Sequence, residues 1–256
     1  MDNELAKRIV DKARSILLKP KTTYAWEEIV NGVKVMRQDN SVRKMFAVGA
    51  NTWRGFRRRD KEGIGPSRLF IGYFTQQKNR LLEELNEVTD SDKLDAIEDR
   101  ICKELRCAFD NTKNFSQEQL RPYNKLRKPV DIYIEHLVCM AREHDQGRAA
   151  LVPLLFLPLD SQMFKSERPN PEIFTITELK EFGLSRRSTF ASVETRETYC
   201  GLQAKLKDKA NVVKGFHRIY FDLIWGNRWK NWGCNLFETN PFKKAGKSQV
   251  SCTAFG

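Results

Sequence analysis

Apolar side chains recur every three to four residues over much of the first half of the chain. Residues 3–18 predict an amphipathic helix that Pro20 ends, because one face is formed by Leu5, Ile9, Ala13 and Ile16. Residues 24–36 predict a second helix. Its apolar face would consist of Trp26, Ile29, Val30 and Val33.

A longer apolar stripe begins at Pro66. Its members are Phe70, Phe74, Leu81, Leu85 and Val88. The polar stretch 89–92 separates it from a second stripe, formed by Leu94, Ile97, Ile101, Leu105 and Ala108. Two helices joined by so few polar residues fold back on each other. The sequence therefore predicts an antiparallel helical hairpin over residues 66–108.

The second half of the chain mixes helical and extended patterns. Residues 130–143 predict a buried helix, whereas the apolar nonamer 151–159 contains Pro153 and Pro158 and is predicted as a short strand. Aromatic and β-branched residues predict further strands at 216–225 and 235–238. The expected fold class is α+β and helix-rich, with a helical N-terminal half and a short β-sheet in the C-terminal half.

A candidate hinge lies between the two halves. Residues 111–129 are polar and are interrupted by Pro122 and Pro129, a composition typical of linkers. We therefore expect a helical domain over residues 1–120, an α+β domain over 130–240 and a flexible basic tail over 241–256. A length of 256 residues is compatible with two domains of modest size.

Residues 42–59 (VRKMFAVGANTWRGFRRR) have the pattern of a helix-turn-helix. A short apolar helix would lead through a corner at Gly49, where a positive φ costs a glycine little, into a second helix from Ala50. That helix and its basic edge would offer a nucleic-acid groove the side chains of Asn51, Thr52, Arg54, Arg57, Arg58 and Arg59. The alternative is a surface helix with a solvated run of charge, in which Trp53 belongs to the core.

A second helix-turn-helix-like element is predicted over residues 176–199. Its corner would be Gly183, and Ser185 would cap a helix that carries the basic pair Arg186 and Arg187. Further along, Arg228 and Lys230 are interleaved with Trp225, Trp229 and Trp232. Cations that alternate with flat rings are typical of surfaces that hold phosphates and stack on bases.

The charge of the chain supports the same class of partner. The formal net charge is +12 and the isoelectric point is near 9.5. Lys and Arg outnumber acids nine to three over residues 37–68 and ten to three over 200–256, whereas eleven acids face five bases over 83–118. A polyanion, most simply duplex DNA, is the expected partner, and an RNA-binding protein without catalysis is a further alternative. A palindromic target would imply a homodimer.

A restriction-type endonuclease is another alternative. Such an enzyme would need carboxylates that together hold Mg²⁺, and the candidates are Asp131, Glu135, Asp160, Asp222 and Glu238, the last three as the closest ligands. The NLFETN segment departs from the PD-(D/E)xK nuclease pattern because Asn240 stands where lysine is required. A salt bridge between Asp222 and Arg218 would be a purely structural role for that carboxylate.

A short segment, LFIGYFTQQKNRLLEEL at residues 69–85, resembles the YIG half of GIY-YIG nucleases. The resemblance implies catalytic roles for Arg80 and Glu98. No partner GIY strand precedes the segment, and the helical stripe accounts for the same apolar positions.

Cysteine spacing and hydropathy exclude several other classes. The six cysteines contain no CxxC pair and no histidine at zinc-knuckle spacing, so they are expected to be reduced thiols. No apolar run reaches the length of a membrane span, and the charged N-terminus is unlike a signal peptide. These patterns predict a cytoplasmic protein, and they indicate no cofactor except Mg²⁺ if the protein is a nuclease.

Overall fold

The structure is organised around one helix that is buried on nearly all sides. The computed structural model of the chain describes residues 3–36, 40–165, 172–225 and 236–237. The central helix, α8, spans Tyr123–Met140. Because most of its faces are covered, it carries apolar residues on several faces, and Arg127, Lys128 and Asp131 form ion pairs.

The elements that precede this helix are mainly helical. The helices are α1 (Asn3–Ala13, continued by a π-helical turn, Arg14–Leu18), α2 (Trp26–Asn31), α3 (Ala50–Trp53), α4 (Pro66–Gln76), α5 (Lys78–Asn86), α6 (Ser91–Thr112) and α7 (Gln117–Leu120). The strands β1 (Val33–Met36) and β2 (Val42–Met45) form an antiparallel hairpin. The prediction of a helix-rich α+β fold is confirmed.

The elements that follow α8 are short except for one. They are α9 (Arg148–Leu151), α10 (Ser161–Phe164), α11 (Ile176–Glu181), α12 (Arg196–Asn211) and α13 (Asp222–Trp225), with 3₁₀ turns at Arg142–His144, Val152–Leu154, Phe190–Ser192 and Arg218–Phe221. α8 contacts α2, α6 and α7 from the first half of the chain and α9 and α12 from the second.

The apolar stripes of the first half form helices as predicted. α6 begins where the Asp90 carboxylate accepts hydrogen bonds from the backbone N–H groups of Asp92 and Lys93, at 3.0 and 2.9 Å. It packs against α4, so the predicted hairpin of helices is present. The stripe over 66–88 is divided between α4 and α5 at Gln77.

The small sheet lies in the first half of the chain, not in the second. The predicted helix over 24–36 ends at Asn31, because Gly32 adopts φ +96°, and β1 follows. The predicted strand over 151–159 instead forms a 3₁₀ turn and an irregular extended segment. In this segment the amide of the Gln203 side chain bonds to the backbone of Leu157 in the way that a neighbouring strand would. Its Oε1 accepts from Leu157 N–H at 3.2 Å, and its Nε2 donates to Leu157 O at 2.7 Å.

The predicted strand over 216–225 is also wrong. This segment forms the 3₁₀ turn Arg218–Phe221 and α13. Apolar side chains are buried here without alternation, since neighbouring elements cover more than one face; they are Phe216, Ile219, Tyr220, Phe221, Leu223 and Ile224. Of the predicted strand 235–238, only a turn at Leu236–Phe237 lies within the described residues.

Neither predicted helix-turn-helix is formed. Val42–Met45, the expected first helix, is strand β2, and the expected recognition helix is the single turn α3. Gly49 has φ −70° and precedes α3 as its N-cap. In the second element Gly183 does end α11, with φ +68° and a bond from Leu184 N–H to Leu179 O. No helix starts at Arg186, because Ser185 instead forms a turn by accepting from Arg187 N–H at 3.2 Å.

The candidate hinge is largely helical. α7 lies within it, Pro122 precedes α8, and Pro129 lies inside α8. The proposed division into domains over 1–120 and 130–240 stays a prediction, and the tail over 241–256 lies outside the described residues.

Candidate nucleic-acid interface

Six cationic side chains are exposed on the segment between α3 and the first turn of α4. They are Arg54, Arg57, Arg58, Arg59, Lys61 and Arg68. We call residues 54–68 the basic loop. No carboxylate among the described residues forms an ion pair with any of the six, although Asp60 and Glu62 lie in the same loop. The Arg58 guanidinium donates to the Gly63 carbonyl at 3.1 Å.

The backbone of the basic loop is fixed by two amide side chains from the chain after α6. Gln119 accepts from Arg57 N–H at 2.7 Å and donates to Arg57 O at 2.9 Å. Asn114 accepts from Asp60 N–H at 2.7 Å and donates to Asp60 O at 3.1 Å and to Ile64 O at 3.3 Å. We call these contacts the amide clamp. It uses the backbone groups of the loop and leaves its cationic side chains exposed.

The fit of Gly63 beneath the clamp is tight. A Cβ atom on Gly63 would lie 2.6 Å from Asn114 Nδ2, closer than any real contact allows. Asn114 itself is buried, and the neighbouring Lys113 adopts a left-handed conformation with φ +53°. The loop therefore closes over Asn114 only with glycine at this position.

A buried lysine anchors the start of the loop. The Lys125 ammonium, on α8, donates to the Gly55 carbonyl and lies 4.8 Å from the centre of the Phe56 ring. Burial, together with the charge of Arg57, lowers the pKa of Lys125. The loop is thus fixed to the central helix at one end and to the amide clamp in its middle.

Aromatic side chains pack between the loop and the core of the protein. The Trp53 ring lies 5.1 Å from that of Phe70 and 5.8 Å from that of Phe56, and Phe56 stacks on Phe109 at 5.6 Å. Phe56, Phe70 and Phe109 are buried, whereas Trp53 is only partly so. Trp53 therefore belongs to the core on one side and to the surface on the other.

The loop and α3 line a cavity of about 560 Å³ that is open to the surface. Four of the cations line it, Arg54, Arg58, Lys61 and Arg68, against one acid, Glu62. Trp53 and the small residues Ala50, Gly63, Gly65 and Ser67 complete most of the wall. This basic cavity is an arrangement suited to anions.

The β-hairpin carries two further lysines. Lys34 and Lys44 are directly opposite each other in the register, and both are exposed. Like charges at opposed positions destabilise a strand pair. The Lys44 ammonium lies 5.5 Å from the centre of the Phe46 ring, which compensates part of that cost.

The remaining predicted nucleic-acid contacts are divided. Asn51 is exposed, but Thr52 is buried and presents no side chain to the surface. Arg187 is exposed, whereas Arg186 is ion-paired with Glu172 and donates to Phe164 O at 3.0 Å. Arg228 and Lys230 lie outside the described residues.

The predicted nuclease carboxylates have separate environments. Asp131 is buried in α8 and bonds to Arg127 Nε at 2.6 Å. Asp160 pairs with Lys128 and caps α10. Glu135 is buried in α8, and Asp222 is in the first turn of α13.

The Arg218 guanidinium donates to Leu154 O and Leu155 O at 2.7 and 2.8 Å, and its salt bridge with Asp222 stays a prediction. Glu238 lies outside the described residues. Within the described part of the chain, no group of three or more His, Cys, Asp or Glu residues is placed to hold a metal ion. The magnesium site therefore stays a prediction that no described cluster supports.

The densest charge cluster is structural and surrounds Arg127. Its fully buried guanidinium contacts Asp131, Asp95 (2.9 Å), Glu98 and Asp99 (3.3 Å), and Arg196 bridges Asp95 and Asp99 from the surface. The Arg127 guanidinium also lies over the neighbouring rings of Phe156 and Tyr199, 4.8 and 4.7 Å from their centres. We call this group the Arg127 cluster.

Burial changes the acidity of the cluster. It raises the pKa of Glu98 to about 8 and the pKa of Asp131 to about 6, and the neighbouring carboxylates raise both pKa values further against the opposing effect of Arg127. Burial alone would also raise the pKa of Asp99, but hydrogen bonds from Tyr123 and Arg196 lower it. Glu98, to which the YIG resemblance gives a catalytic role, is thus a partner of Arg127, and Arg80 pairs with Glu84 and Glu104.

Sequence reasoning missed the residues that build the loop. Lys61 and Arg68 lie inside the basic stretch and their charge is evident from the sequence, but no motif marks them as site residues. Asn114 and Gln119 gave no signal, because neutral amides in a polar segment are typical of any linker. Their roles depend on contacts with residues more than 50 positions away.

No protein-family model, curated protein or solved structure matches this chain. None of the described helices has both the length and the apolar character needed to cross a bilayer.

Proposed function

We propose that this protein binds nucleic acid through the basic loop. The observation that carries the proposal is the set of six exposed cations, none ion-paired with a described acid, on a backbone fixed by the amide clamp. Phosphate contacts supply most of the affinity of sequence-independent nucleic-acid binding. A fixed backbone reduces the entropy that the loop loses on binding.

The composition of the loop favours phosphate as the ligand. Five of its six cations are arginines, whose planar guanidinium groups bond phosphate oxygens in pairs. The one-turn helix α3 is too short to act as a recognition helix in a groove. Contacts to the phosphate backbone, rather than to base edges, are therefore the mode that the loop supports.

The test is salt-dependent binding measured by fluorescence anisotropy. Labelled 20-nucleotide duplex DNA, single-stranded DNA and RNA would be titrated with the full chain between 50 and 300 mM salt. We expect the triple variant Arg57→Ala, Arg58→Ala, Arg59→Ala to bind weakly and to lower the slope of log K against log salt by about 2 to 3, because roughly 0.7 to 0.9 counterions are released per phosphate contact.

The matched control removes the same charge elsewhere. Lys7, Lys207 and Lys214 are exposed and form no ion pair with the described acids, so Lys7→Ala, Lys207→Ala, Lys214→Ala should keep the slope. Equal losses in the two triple variants would show that only net charge matters and would refute the loop as the binding site. Binding confined to anionic lipid vesicles would refute the nucleic-acid assignment.

A further inference from the structure

The basic cavity differs from the rest of the loop in being concave. Its volume of about 560 Å³ is in the range of sites that enclose a small ligand, and it is large enough for one nucleotide. Arg57 and Arg59 do not line it. The loop therefore presents two kinds of cation, those around the cavity and those outside it.

The positive charge that lines the cavity exceeds the negative charge of one phosphodiester. Four cations and one acid line it, whereas a phosphodiester carries a single negative charge. A phosphomonoester carries about −1.5 to −2 at neutral pH and offers three acceptor oxygens. The cavity thus matches the terminal phosphate of a strand better than the continuous backbone.

The wall of the cavity also offers a flat ring. Trp53 lines the cavity, is partly exposed, and is held in place by Phe56 and Phe70. In single-stranded complexes, bases stack on aromatic side chains, and this stacking tolerates any base because every base has a π-face. A ring and a group of cations around one cavity would recognise a base and its phosphate together.

We infer that the basic cavity binds a nucleoside phosphomonoester, either as the phosphorylated end of a strand or as a free nucleotide. This assignment rests on the proposed nucleic-acid function of the same loop and specifies which part of the ligand enters the cavity. The cations outside the cavity then contact the phosphodiesters that follow.

The experiment compares strands that differ only at their ends. One single-stranded sequence would be prepared with a 5′-phosphate, a 3′-phosphate or hydroxyl ends, and its binding to the full chain measured by anisotropy. A phosphorylated end should bind at least about tenfold more tightly, because the monoester adds charge-assisted hydrogen bonds with the cations of the cavity. Competition with free nucleoside monophosphate then separates the two sources. If the monophosphate displaces the phosphorylated strand at a concentration equal to that of the strand, the free nucleotide is the ligand. If it displaces no strand at that concentration, the strand end is the ligand.

Two double variants locate the effect. Arg54→Ala with Lys61→Ala removes charge from the cavity and should abolish the preference for a phosphorylated end. Arg57→Ala with Arg59→Ala removes equal charge outside it and should weaken all strands while keeping the preference. Equal binding of phosphorylated and hydroxyl ends by the wild type would overturn the inference but leave the proposed function intact. Absence of binding to every strand at low salt would refute the proposed function as well.

Discussion

At the scale of single residues, some parts of the site can be identified from the sequence and others cannot. The arginines of the basic loop are identifiable from the sequence, because a cluster of positive charge that is not outnumbered by neighbouring acids indicates exposed side chains. The side chains that hold the backbone of the loop are not identifiable in this way. Asn114 and Gln119 have the same composition as a solvated linker, and only the folded chain brings them beneath Asp60 and Arg57.

The amide clamp leads to a prediction about affinity without any change in charge. Asn114→Ala removes one accepted and two donated hydrogen bonds and should lower nucleic-acid affinity by about tenfold, because the loop must then be ordered on binding. The salt slope should stay as in the wild type, since every cation remains. Anisotropy titrations measure both quantities.

The control for this prediction is Asn211→Ala, at the exposed end of α12. It should bind as the wild type does. A folded Asn114→Ala protein with unchanged affinity would show that the clamp does not organise the site.

At the scale of elements, periodicity determined which predictions succeeded. The stripes of α1, α4, α5 and α6 repeat at helical spacing, and these segments are helices. The segments 151–159 and 216–225 are apolar without a clear period, and their structures depend on tertiary partners such as Gln203. β-propensity in a short run was therefore a poor guide.

Replacing glycine with alanine is expected to change the stability of the fold in opposite directions at two positions. Gly183 ends α11 at φ +68°, so Gly183→Ala should destabilise the fold by about 1 kcal/mol through backbone strain alone. Gly72 lies inside α4, and Gly72→Ala should stabilise it by about 0.5–1 kcal/mol. A Cβ atom at either position would meet nothing within 4 Å.

Urea unfolding measures both changes in the free energy of unfolding. Each variant serves as the control for the other, because the added methyl group is the same. If both substitutions shifted stability in the same direction, conformational preference would not be the cause.

At the scale of the whole molecule, α8 and the Arg127 cluster join elements from both halves of the chain. The cluster links α6, α8 and α12 through Asp95, Arg127 and Arg196. These residues belong to helices that the sequence suggested only in part, and no pattern in the chain indicates that they meet. A buried arginine with several acids is also a feature whose acidity depends on the complete fold.

The cluster predicts that stability depends on pH. The folded pKa of Glu98 is about 8 and its ordinary value is 4.5, so between these values the folded state holds a proton that the unfolded state releases. The free energy of unfolding should therefore fall as pH rises from 5 to 8, by up to about 1.4 kcal/mol per pH unit for one proton. Glu98→Gln should flatten this dependence.

Urea titrations at pH 5, 6, 7 and 8 would measure the effect. Glu83→Gln, an exposed change on α5, is the matched control and should follow the wild type. Parallel curves for the wild type and Glu98→Gln would show that Glu98 is ionised throughout this range in the folded protein.

The amide clamp has one further consequence. The side chains of Asn114 and Gln119 carry no ionisable group, so neither added electrolyte nor acid breaks their hydrogen bonds to the loop backbone. The cations are thereby presented in one arrangement across conditions that alter most surface interactions. Any weakening of the complex by electrolyte then reports the ions exchanged at the phosphates, not a collapse of the protein that holds them.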